Sequence, residues 1–142
     1  MKFKSFIFAV VVTAFLSSYI STDSKLKEGS TAPTIERVNG EKLELKDGKE
    51  KLISFWSPKD ASSRISNREF SNQFNQGDVE FISICIDSDE ELAKEVLKCD
   101  GINAKEHIAY SEVSKRVFKD YGVTDSPAAF LINGKGKIER IK

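Results

Sequence analysis

The stretch Leu52–Arg64, LISFWSPKDASSR, decides how the rest of the chain is read. Leu52 to Trp56 is apolar on both faces apart from Ser54, the pattern of a central strand covered on both sides. Ser57 and Pro58 make a short loop, and a helix opens near Asp60. A strand feeding a helix N-terminus sets the turn at the carboxyl edge of a sheet, where open α/β proteins place their chemistry. The turn carries Lys59, Asp60, Ala61, Ser62 and Ser63, and none is a thiol.

Downstream, Ala61 to Phe74 reads as a helix. Ile65, Phe70 and Phe74 form its apolar stripe, and Arg64, Asn67, Arg68 and Gln73 are expected outward. Gln76-Gly77-Asp78 ends it. Val79 to Ile86 is rich in β-branched residues and reads as a second strand. Asp87-Ser88-Asp89 caps a helix from Glu90 to about Lys98, with Leu92, Val96 and Leu97 inward. A short strand is expected at His107 to Ala109. A helix follows from Ser111 to Tyr121, with Gly122 as its C′ residue. Ala128 to Ile132 and Lys137 to Ile141 flank the Asn133-Gly134-Lys135-Gly136 turn.

Upstream, Asn39-Gly40 between Thr34–Val38 and Leu43–Leu45 is a strong hairpin signal, and Asp47-Gly48 makes the next turn. Residues 22–31 are a polar linker. Residues 1–21 are a different material: Lys2 and Lys4 precede the apolar run Phe6 to Leu16, with Ser17, Ser18 and Ser21 after it. The run is shorter than the roughly 20 residues of a bilayer span, so a cleaved signal peptide is the first reading and an uncleaved signal anchor the second. Export to the periplasm or cell envelope is expected, with membrane contact only if the segment stays attached.

The 142 residues suit one domain, placed at 32–142. Lys and Arg number 22 and Asp and Glu 22, without a basic block, which argues against nucleic acid. One histidine, His107, supplies neither a histidine-rich metal site nor a Cys–His–Asp/Asn set, so no metal or cofactor is expected. Ser62 and Ser63 have no base nearby in sequence, and a serine nucleophile needs one. Cys85 sits mid-strand and reads as a small buried hydrophobe. From it the strand runs on about 7 Å to Asp87, and the helix then travels about 15 Å before Cys99. That separation exceeds the roughly 4.4–6.8 Å between Cα atoms of a disulfide, so two free thiols are expected.

The order of elements predicts a mixed sheet with helices on both faces. It resembles the thioredoxin fold. The match is with exported thioredoxin-like, peroxiredoxin-related proteins of the cytochrome c maturation reductase type. The resemblance rests on Gly29-x-x-Ala32-Pro33, the Asn39-Gly40 hairpin, Phe55-Trp56, and Tyr121-Gly122-Val123-x-x-x-Pro127 before an apolar strand. It implies a cis Ser126–Pro127 bond beside the Asp60 turn, and a groove there that pairs with an extended substrate segment.

The chain departs from that family where it matters most. The family's Phe-Trp-Ala-x-Trp-Cys-x-x-Cys-Arg stands here as Phe55-Trp56-Ser57-Pro58-Lys59-Asp60-Ala61-Ser62-Ser63-Arg64. Asp60 falls on the nucleophilic cysteine and Ser63 on the resolving one. In the peroxiredoxin alignment Pro58 and Ser62 match the opening, and Ile65 falls on the peroxidatic cysteine. This Asp-for-Cys pattern is similar to thioredoxin-like proteins of Bacteroidales that lack the redox motif. The family's closing C-terminal helix is also expected to be absent. The implied function is a redox-inactive module that binds an unknown protein or extended peptide. Trp56, Asp60 and Ser63 would form its degenerate active-site turn, and Ser126 and Pro127 its groove. The alternative is a thiol–disulfide oxidoreductase or peroxidase acting through Cys85 or Cys99.

Overall fold

The strand Glu50–Trp56 (β1) is buried from Lys51 to its end, because sheet neighbours flank it and helices cover both faces. The computed structural model describes residues 26–74 and 77–141. The segment 1–21, residues 22–25 of the linker and the Gln76 part of the helix-end signal lie outside them.

After β1 come the helix Ala61–Phe74 (α1), the strand Val79–Cys85 (β2), the helix Glu90–Cys99 (α2), the strand Glu106–Ile108 (β3) and the helix Glu112–Asp120 (α3). The strands Ala128–Ile132 (β4) and Ile138–Ile141 (β5) complete a five-stranded sheet of order β3-β2-β1-β4-β5. β1, β2 and β3 are parallel, while β4 runs antiparallel to both β1 and β5. The register pairs Leu52 with Phe81, Ser54 with Ser83 and Trp56 with Cys85.

Alternation along the strands sorts the core into two layers. On one face Leu52, Phe81 and Leu131 meet Phe70 and Phe74 of α1, while Trp56 and Cys85 meet Ala93 and Val96 of α2. On the other, Ile53, Phe55, Ile82, Ile84, Phe130 and Ile132 meet Val117 of α3, together with Tyr121, Ile35 and Leu45. Phe55, Tyr121 and Phe130 form an aromatic cluster with ring centres 5.0–5.8 Å apart. Full burial of a Phe or Leu side chain is worth about 1.5–3 kcal/mol over exposure, so this double-sided core is the main stabilising term.

Two details correct the sequence reading. The Asn39-Gly40 turn forms, with Gly40 at φ 86° and Leu43 N–H donating to Ile35 O at 2.8 Å. Its arms, however, make a single Glu36–Lys42 bridge instead of two strands. Ile35 and Leu45 are drawn into the core around α3, so the arms serve that packing and do not extend the sheet.

The face of α1 is also rotated from expectation. Ile65, expected inward, is 59% exposed, and Asn67, expected outward, is buried. Ser63, Ser66, Asn67 and Ser71 line the buried face instead. The reason is polar: Ser54 Oγ donates to Asn67 Oδ1 at 2.9 Å, and Asn67 Nδ2 donates to Ser83 Oγ at 3.3 Å. The two strand serines turn toward α1 and need partners, and a buried asparagine supplies both.

Candidate functional site

Asp60 closes the N-terminus of α1. Its Oδ1 accepts from Ser62 N–H at 3.2 Å and its Oδ2 from Ser63 N–H at 3.1 Å, while Arg64 N–H donates to its carbonyl at 3.1 Å. Those are the bonds of an N-cap, and a carboxylate there also faces the positive end of the helix dipole. Asp60 Oδ2 takes a further donor from across the site, the Ser126 hydroxyl at 3.3 Å.

Ser63 is fully buried. Its Oγ donates within reach of two carbonyls, Ser57 O at 2.8 Å and Asp60 O at 3.1 Å, and accepts from Ser57 N–H at 3.0 Å. The hydroxyl therefore staples the loop between β1 and α1 and faces no open space. The Ser126–Pro127 bond is cis, as the resemblance implies. Ser126 lines an open hollow of about 530 Å³ with Ser57, Lys59, Asp60, Ile86, Asp87 and Asp125. Pro127, expected in the groove, immediately precedes β4 and is not among the residues lining the hollow.

Trp56 does not line this hollow. It is 1% exposed, held by its ladder pairing with Cys85 and roofed by Ala93 and Val96, so of the three residues expected at the turn it is the one that belongs to the core beneath it. Its Nε1 has no hydrogen-bond partner among the described residues.

Asp87 is the site residue that sequence reasoning left among the helix caps. It accepts from Ser57 Oγ at 3.2 Å, Lys59 Nζ at 3.3 Å and Asp89 N–H at 2.8 Å. The Asp89 N–H first, and then Lys59 and Ser57, hold its carboxyl below the ordinary 3.8. The available signal was its place just past the carboxyl end of β2, beside the turn after β1.

Both cysteines are free. Cys85 is buried, its Sγ lies 3.4 Å from Asp87 O, and burial pushes its thiol up to about 11. Cys99 is exposed at the end of α2. Next to it, Asp100 receives a two-pronged pair from Arg64 at 2.9 and 2.7 Å, which holds the Asp100 carboxyl below its usual value. His107 lies on β3 with part of its surface in solvent. Its ring centre is 5.9 Å from that of Trp56, and the protein around the ring lowers its pKa from 6.5. Among the described residues no cluster of three His, Cys, Asp or Glu side chains could hold a metal ion, and no helix is long and apolar enough to cross a membrane.

Sheet order, helices on both faces and the cis-proline loop beside a strand-to-helix turn define a thioredoxin-like α/β domain. Residues 27–142 match the Redoxin family, and the chain belongs to it. Among its relatives is the thiol-disulfide oxidoreductase ResA of Bacillus cereus, 28% identical over 155 residues, covering 97% of this chain and 87% of the relative. ResA of Bacillus subtilis is 27% identical over 124 residues, covering 82% of this chain and 67% of the relative. Among solved structures, a thioredoxin-like protein from Parabacteroides distasonis superposes with a TM-score of 0.69 at 27% identity, covering 81% of this chain and 86% of that one. The thioredoxin domain of a Bacteroides vulgatus thiol-disulfide oxidoreductase gives 0.67 at 23% identity, covering 83% and 89%, a likeness of fold alone.

Proposed function

We propose that this chain is an exported thioredoxin-like domain that binds an extended protein segment and performs no thiol–disulfide exchange. One observation carries the reading. Asp60 and Ser63 stand where the resemblance places the two cysteines, and both side chains are taken up in capping α1 and closing the turn. A carboxylate and a hydroxyl cannot exchange disulfides, which requires a thiolate. The fold, the hollow and the Ser126–Pro127 loop are kept beside them. Backbone next to such a loop can pair with an extended segment by strand addition, which needs no cysteine. Export rests on Lys2, Lys4 and the apolar run that follows.

The rival reading is thiol chemistry through Cys85 or Cys99, and the names of the ResA relatives favour it. Against it, the raised pKa of Cys85 leaves little of the reactive thiolate at neutral pH. The test is reduction of insulin by dithiothreitol, measured for the wild type and for Asp60→Cys/Ser63→Cys, with circular dichroism to check folding. The wild type is expected to be inert and the double variant active. Wild-type turnover matching the double variant, or turnover lost on Cys99→Ser or Cys85→Ser, overturns the reading. A folded double variant that forms the new bridge and stays inert weakens it, because the groove would then have lost its substrate-facing shape.

A further inference from the structure

The last ladder pair joining β1 to β4 is Phe55–Ala128. Beyond it the two segments separate into the walls of the hollow: the β1–α1 turn on one side and the Asp125–Ser126 loop on the other. Among the described residues, the hydrogen bond that reconnects them is Ser126 Oγ to Asp60 Oδ2 at 3.3 Å. The oxygen that accepts it also accepts the Ser63 N–H at 3.1 Å, so one atom belongs to the helix cap and to the opposite wall. The loop side is fixed in turn, with Ser126 N–H donating to Asp125 Oδ1 at 2.9 Å. A neutral serine at position 60 could cap the helix with its single oxygen. A carboxylate has lone pairs to spare for the second wall.

We propose that Asp60 and Ser126 form a clasp that fixes the Asp125–Ser126 loop against the start of α1. The binding edge of the groove is thereby held in one shape before any partner arrives. The clasp's role rests on the binding reading above, since an edge held in its bound shape lowers the ordering cost of association. Its existence does not rest on that reading. It turns a position that would carry a reacting atom into one that positions a loop.

The test uses the full chain without any ligand. Backbone 15N order parameters are read at Thr124, Asp125 and Ser126 by NMR, in the wild type, Ser126→Ala, Ser126→Thr, Asp60→Ser and Asp60→Ser/Ser126→Ala. Ser126→Ala removes the clasp and leaves the helix cap. Asp60→Ser keeps a good cap, with a hydroxyl too short to reach the second wall. Each single variant is expected to lower the order parameters at these amides from the rigid value of about 0.85 toward the flexible range below about 0.6. The double variant should be no more mobile than either single, and Ser126→Thr, which keeps the hydroxyl, should match the wild type. Amides in the middle of α1 serve as a control for general loosening. Wild-type order parameters in Ser126→Ala, or a further drop in the double variant, overturn the clasp. Because no partner and no thiol assay enters, that failure stays distinct from failure of the binding reading, which is decided by insulin reduction.

Discussion

At Asp60 two carboxylate oxygens serve three donors, Ser62 N–H, Ser63 N–H and Ser126 Oγ. Asp60→Ala removes them all, and loss of an N-cap costs about 0.5–2 kcal/mol. Urea denaturation should show that loss, and Asp60→Asn should recover most of it, because asparagine caps as well as aspartate. The two cysteines should separate as sharply. Cys99 is exposed, whereas Cys85 is buried with its thiol pushed up to about 11. At pH 8 only about one thousandth of such a thiol is the reactive thiolate. Titration of the native protein with a thiol reagent is therefore expected to give one fast equivalent, and the second only after denaturation. Cys99→Ser should abolish the fast phase and Cys85→Ser should leave it.

On the scale of an element, α1 shows how a tertiary partner overrides a local pattern. Hydropathy turned Ile65 inward and Asn67 outward, and the folded helix does the reverse. The rotation places Asn67 between Ser54 of β1 and Ser83 of β2, where it satisfies both hydroxyls. Asn67→Ala leaves two buried hydroxyls without that partner and should destabilise the fold by about 1–3 kcal/mol. Ile65→Ser removes an exposed methyl-rich side chain and should stay within about 0.5 kcal/mol of wild type. If α1 sat as hydropathy alone suggests, chemical denaturation would rank the two variants the other way. The N-cap of α2 was legible because its chemistry is local, with Asp89 accepting from Leu92 N–H, whereas Ser111, read as the first residue of α3, is its cap and exchanges bonds with Ser114 in a capping box.

Across the whole molecule, acid should unfold the protein in an ordered way. Asp47, Asp87 and Asp100 all have carboxyls held below 3.8, Asp47 mainly by Lys51, Asp87 by the Asp89 N–H and Asp100 by Arg64. A depressed folded pKa gives stability that is present above the unfolded value and is lost as pH falls through the folded one. His107, lowered from 6.5, acts earlier: its contribution is complete above 6.5 and declines as pH falls below that value. Glu50 works in the opposite sense, because burial raises its carboxyl and its contribution is lost as pH rises through the folded value. The melting temperature should fall first below about pH 6.5 and again below about pH 4. His107→Gln should remove the first decline and keep the second. Asp100→Asn should soften the second.

What the sequence alone determined is whatever depends on neighbours along the chain. The apolar run of β1, the β-branched run of β2, the capping residues and the strand-to-helix turn at Asp60 all follow from backbone sterics and short-range hydrogen bonds. Those elements in that order admit few topologies, so a mixed sheet with helices on both faces was readable from them, and the motifs from Gly29 to Pro127 carried the resemblance to the thioredoxin fold. The absence of thiols at positions 60 and 63 was likewise plain. Only the tertiary structure decided which side of α1 faces the sheet, because that depended on Ser54 and Ser83, 13 and 16 residues from Asn67 in the chain. It also withdrew Trp56 into the core under α2, and brought Asp87 and Ser126 to the turn, Ser126 from 66 residues beyond Asp60. Periodicity counts residues along one element, whereas a buried polar group must find its partner wherever the fold delivers one.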